Sequence, residues 1–94
     1  MRHLVWGTSF RRAFKRVTRR DPLMQERILV VLARLVEDPF EAGLKTHKLR
    51  GQLEGLWACW VEYGCRVIFA FEPDPSSSED LIILVDIGTH DEVY

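Results

Sequence analysis

Leu56-Trp57-Ala58-Cys59-Trp60-Val61-Glu62-Tyr63-Gly64-Cys65-Arg66-Val67-Ile68-Phe69-Ala70-Phe71 is the stretch that decides the fold. Residues 56–61 and 66–71 are rich in aromatic and β-branched side chains and read as two strands. They flank the connection Glu62-Tyr63-Gly64-Cys65, which marks a hairpin. With Tyr63-Gly64 as a two-residue turn, alternation places Cys59 and Cys65 on opposite faces, where they cannot bridge. Their spacing fits no metal pattern either, so both read as reduced packing residues of a cytoplasmic protein. Trp57 and Trp60 fall on different faces, one toward whatever covers the sheet and the other away from it.

Working outward from the hairpin, Leu81-Ile82-Ile83-Leu84-Val85 begins a buried strand expected to run to about Ile87. Pro73-Asp74-Pro75-Ser76-Ser77-Ser78 is a surface loop leading into it. On the N-terminal side, residues 51–55 read as a turn and residues 45–50 as a basic, extended segment. Residues 40–43 form a loop. Asp38-Pro39 stops a helix whose apolar face is Met24, Ile28, Val31, Leu32 and Leu35. That helix restarts at Asp21-Pro22, with Asp21 as cap and Pro22 at the first helical position. Before it, Phe10, Ala13, Phe14 and Val17 recur at i, i+3, i+4 and i+7 of another helix, capped by Thr8 or Ser9. Residues 3–6 form a short first strand. The expected architecture is α+β: an N-terminal strand, an α-helical hairpin, then a mostly antiparallel twisted sheet of three to four strands with the helices on one face.

Ninety-four residues allow one domain, residues 1–94, and one core. No apolar run approaches a membrane span, and the N-terminus lacks the apolar stretch of a signal peptide. The net charge of −1 hides an asymmetry. Residues 1–50 hold 12 Lys/Arg against 5 Asp/Glu, and residues 51–94 hold 1 against 9, so the halves carry +7 and −8. The basic half suits a polyanion such as nucleic acid; equally, basic helices can rest beside an acidic sheet. Three scattered histidines without clustered carboxylates make no metal site, and no cofactor or small-molecule substrate is implied.

Gly88-Thr89-His90-Asp91-Glu92-Val93-Tyr94 puts an acid/base group and an aromatic plate at a strand end. Imidazole moves protons near neutral pH and aromatic rings stack bases, a pairing that suits RNA cleavage. This ending, with Leu44-Lys45-Thr46-His47-Lys48-Leu49-Arg50-Gly51 and Gly64-Cys65-Arg66-Val67-Ile68-Phe69, resembles the RelE/ParE toxin superfamily of type II toxin-antitoxin systems, nearest its YafQ-like branch. The resemblance implies a RelE-like fold and a ribosome-dependent mRNA endonuclease (an mRNA interferase) held inactive by a cognate antitoxin. Its site positions carry over to His47, His90 and Tyr94. They do not carry over at Trp60, where the branch has a second His, or at Gly64, where it has an Asp. Those two departures keep alternatives open: a ParE-like DNA gyrase inhibitor, or a decayed toxin that only binds its antitoxin.

Metal-free cleavage needs a base for the 2′-hydroxyl, an acid for the leaving 5′-oxygen and cations for the phosphorane. His47 and His90 can take the first two roles in either order. Arg66 can supply charge and Tyr94 a stacking surface. Lys45, Lys48 and Arg50, with Arg11, Arg12 and Lys15 on the first helix, are the expected RNA-binding residues. Each has a plainer reading: His47 as a loop residue, Arg66 as an ion-pair partner of an acidic neighbour such as Glu62, the helix cations as a solvated face. His3 lies outside any matching motif and reads as structural.

Overall fold

The computed structural model describes residues 2–89. Strand β1, Leu4–Trp6, leads into helix α1, Thr8–Thr18, and helix α2, Pro22–Glu37, follows after a three-residue break. The cap of α1 is Gly7, not Thr8 or Ser9, and no side chain caps this end. The reason is packing: the Gly7 amide donates to the Leu84 carbonyl at 3.0 Å, and a Cβ on Gly7 would lie 2.6 Å from that oxygen. Close passage of the chain over the sheet therefore outweighs a hydroxyl cap worth about 1 kcal/mol. The start of α2 is as expected: Pro22 opens the helix and the Asp21 carboxylate accepts from the Met24 amide at 3.0 Å.

Beyond α2 the chain makes a 3-10 turn over Ala42–Leu44, then strand β2, His47–Lys48, and a second 3-10 turn over Gly51–Leu53. The extended segment expected over residues 45–50 is thus a two-residue strand. Its start is delayed because Lys45 takes a left-handed backbone as it closes the first 3-10 turn. Strands β3, Trp57–Glu62, β4, Cys65–Glu72, and β5, Leu81–Thr89, complete a five-stranded sheet in the order β1-β5-β4-β3-β2. Among the described strands only β1 runs parallel to its neighbour, β5; the other pairs are antiparallel. The four strands after the helices match the upper expected count. β5 runs two residues past Ile87.

Gly64 has φ 83°, the left-handed conformation this tight turn needs. The hairpin also contains an irregularity between Trp60 and Glu62. It shifts the alternation, so Cys59 and Cys65 lie in the same core rather than on opposite faces. Both are free thiols, and burial pushes them up to about 12 and about 11 respectively.

The main core lies between helices and sheet. Phe10, Ala13, Ile28, Val31, Leu32 and Leu35 meet Cys59, Val67, Phe69, Ile82, Leu84 and Ile87. The predicted apolar periods of both helices point inward, and Trp6 packs edge-on to Phe10 and Phe14. A smaller cluster of Leu49, Ala58 and Ile68, flanked by Leu53, Leu56 and Val85, occupies the other face of the sheet. The His3 carbonyl accepts from the Ile82 amide at 3.0 Å, extending the β1–β5 pairing by one bond. No described helix is long and apolar enough to cross a membrane.

Candidate active site

The sheet register gathers the candidate residues on the face away from the helices. His47 pairs with Ala58, Ala58 with Ile68, and Ile68 with Asp86, giving one transverse row. The neighbouring row is Trp60, Arg66 and Gly88. Lys45 precedes β2, as the left-handed residue that closes the 3-10 turn, and its side chain reaches Trp60. The Lys45 ammonium lies 4.8 Å from the centre of the Trp60 ring. Lys45, His47 and Arg66 therefore share one end of one sheet face, around the Trp that stands in the second-histidine position.

His47 is exposed, and its Nδ1 lies 2.9 Å from the Lys45 carbonyl oxygen. A carbonyl only accepts, so in this bond Nδ1 carries the proton and the neutral ring keeps its lone pair on Nε2. The nitrogen able to accept a proton in that neutral form is Nε2. Arg66 does not pair with the Glu62 carboxylate. Its guanidinium is 3.5 Å from the Glu62 and Cys65 carbonyls, at the outer limit of a hydrogen bond, while the Glu62 carboxylate binds Arg27 of α2. The bulge that turns Cys65 inward also turns Glu62 toward α2.

An open cleft of about 880 Å³ adjoins His47, lined also by Lys48, Arg50, Glu54 and Trp57. Lys48 lies over the Trp57 ring at 5.5 Å, so the cations here rest on aromatic faces as well as facing solvent. Trp57 packs with the helix-side core and Trp60 is outside it, as alternation required; both are half-buried. Trp60 additionally borders a groove with Leu23, Val30 and Arg34 of α2.

Arg11, Arg12 and Lys15 are exposed on α1, which packs against the helix side of β5. The fold does not bring them to the His47 site, and Arg11 is occupied in part by donating to the Trp6 carbonyl. His90 and Tyr94 lie outside the described residues; the last described residue, Thr89, pairs with Cys65, beside Arg66. Among the described residues no three His, Cys, Asp or Glu gather into a metal-binding group. Sequence reading missed the Lys45–Trp60 contact. The signal was available in the pairing of a basic segment with an aromatic strand, but the contact depends on a left-handed turn ahead of β2, which no motif marks.

The same fold occurs in solved toxin structures. The YoeB/ParE toxin from Agrobacterium tumefaciens superposes with a TM-score of 0.76 at 23% identity, over 94% of this chain and 98% of that one. YafQ from E. coli strain BL21(DE3) gives 0.75 at 17% identity, over 100% and 99%. The E. coli DinJ-YafQ complex gives 0.75 at 19%, over 100% and 99%. No curated protein matches the chain. The family model for YafQ, described as the bacterial toxin of a type II toxin-antitoxin system, matches residues 2–94. With practically its whole length matched, and with a RelE-like arrangement of two helices on a mixed sheet, this chain belongs to the YafQ toxin family.

Proposed function

We propose that the chain is a ribosome-dependent mRNA endonuclease, neutralised by a cognate antitoxin. The observation that carries this reading is His47: an exposed imidazole whose tautomer is set by the Lys45 carbonyl, on a sheet face that also presents Lys45 and Arg66. In the reaction the 2′-oxygen attacks the adjacent phosphorus and its proton passes to a base. The bond from phosphorus to the 5′-oxygen breaks, and that oxygen takes a proton from an acid. The products are a 2′,3′-cyclic phosphate and a 5′-hydroxyl, with no water consumed and no metal in the balance. His47 and His90 fill the base and acid roles, in an order left open. Arg66 offers two parallel N–H donors to the phosphorane oxygens, a geometry a lysine does not have. Tyr94 supplies a base-stacking surface. Lys48 and Arg50 bind the RNA backbone beside the cleft, and Arg11, Arg12 and Lys15 a more distant phosphate surface. The DinJ-YafQ complex supports an antitoxin partner, and the exposed Leu23, Leu29 and Val30 on α2 suit a protein contact.

The test is cell-free translation of a defined mRNA with the toxin added and RNA 5′ ends mapped by primer extension. New ends that require ribosomes and vanish with His90→Ala are the expected result. Trp60 and Gly64 motivate the gyrase reading, which predicts intact mRNA and toxin-dependent breaks in DNA treated with gyrase. Intact mRNA, unbroken DNA and tight antitoxin binding together would identify a decayed toxin.

A further inference from the structure

Lys45 combines three features that no other described residue shares. It is the single non-glycine among the described residues with a positive φ, 51°, in the left-handed region that disfavours ordinary side chains. Its carbonyl holds Nδ1 of His47 at 2.9 Å. Its ammonium stands 4.8 Å from the centre of the Trp60 ring, and Trp60 is paired on its other side with Arg66. The backbone strain is local and has a visible consequence. The left-handed turn at Lys45 precedes β2, its carbonyl reaches the His47 imidazole two residues on, and its side chain reaches the Trp60 ring. Strain of this kind persists where the surroundings fix it, and it concentrates at functional sites.

Trp60 cannot transfer a proton, and its indole offers one N–H donor. What it provides is an aromatic face, and the ring quadrupole draws a cation to that face. We propose that Lys45 is a further catalytic residue of this chain: held over Trp60 beside His47, its ammonium stabilises the charge that develops on the phosphorane oxygens. An ammonium has three N–H donors and serves as a point charge, so it complements the fixed fork of Arg66. Lys45 thus adds a cation at the place where Trp60 removes one acid/base group. The inference rests on the nuclease reading above.

The experiment compares the parent with Lys45→Gly, Lys45→Asn and Lys45→Arg in single-turnover cleavage of ribosome-bound mRNA, at saturating toxin, with melting temperature measured beside it. Glycine and asparagine both accept the left-handed backbone, and both retain the carbonyl that holds His47. The neutral variants are expected to lose ~10²–10³ in the saturated rate, the usual scale for one transition-state charge contact, with melting close to the parent. Lys45→Arg is expected to keep most of the rate. Cleavage by both neutral variants at the parental rate overturns the inference, as does a loss confined to the concentration needed for saturation, which would make Lys45 an RNA-binding residue only. A parent that cuts no mRNA removes the nuclease reading and this inference with it. That outcome is distinct from a parent that cuts and variants that cut equally well.

Discussion

On the helix side of the sheet Val67, Phe69, Ile82 and Leu84 have no exposed surface, while on the opposite side His47 and Lys45 stand exposed beside Trp60 and Arg66. The two faces meet within β4, where Arg66 and Val67 are successive residues and successive residues of a strand point to opposite faces. The helix face holds the large apolar cluster and two buried thiols. The other face holds a small apolar cluster, Leu49, Ala58 and Ile68, and the candidate chemistry. One sheet can thereby keep stability and chemistry on separate surfaces. Changes on the helix face should cost folding, and changes at the His47 end should cost activity with little effect on folding.

The largest stability effect belongs to the helix face. Phe69→Ala, at a fully buried site, is expected to lose about 3–5 kcal/mol by urea denaturation. A loss below about 1 kcal/mol would mean that the aromatic core is not where stability resides. At the helix entrance, Asp21→Ala removes the acceptor for the Met24 amide and should cost about 1 kcal/mol in the same assay.

The thiols sharpen the comparison through pH. Cys59 and Cys65 are raised by burial from 9.0 to about 12 and about 11. Above pH 9 the unfolded chain releases these protons while the folded chain retains them. Their stabilising contribution is therefore complete below pH 9 and is lost as pH rises toward the folded values. Cys59→Ala should flatten this alkaline decline, read as unfolding midpoints from pH 8 to pH 11 on the ~1-unit steps that such a titration spans. An unchanged slope would show that the Cys59 environment does not hold its proton. The smallest effect is expected at the rim: Arg27→Ala breaks the ion pair with Glu62, a partly exposed contact worth at most about 1 kcal/mol that salt screens further.

The sequence made the scaffold legible because its periods are strong. The i, i+3, i+4 pattern at Phe10, Ala13, Phe14 and Val17, and the Asp21-Pro22 start, correspond to helices as read. The alternation of residues 56–71 gave the hairpin. The local faces were harder, since one shifted residue between Trp60 and Glu62 reverses which side the later positions occupy. That shift brought Cys65 into the same core as Cys59 and took the Glu62 carboxylate to Arg27. Gly7 as a cap was equally hidden, because its reason is the Leu84 carbonyl on a strand far along the chain. In the candidate site, the residue types His47 and Arg66 stood out in sequence. Their neighbourhood did not, because the Lys45–Trp60 contact follows from a left-handed turn ahead of β2 rather than from a motif.

The separation of the two faces is tested most directly by one variant with two readouts. His47→Ala should reduce ribosome-dependent mRNA cleavage by ~10²–10⁴ while leaving the urea midpoint where it is in the parent. Parental cleavage by that variant, or a loss of cleavage that merely tracks a loss of folded protein, would contradict the account.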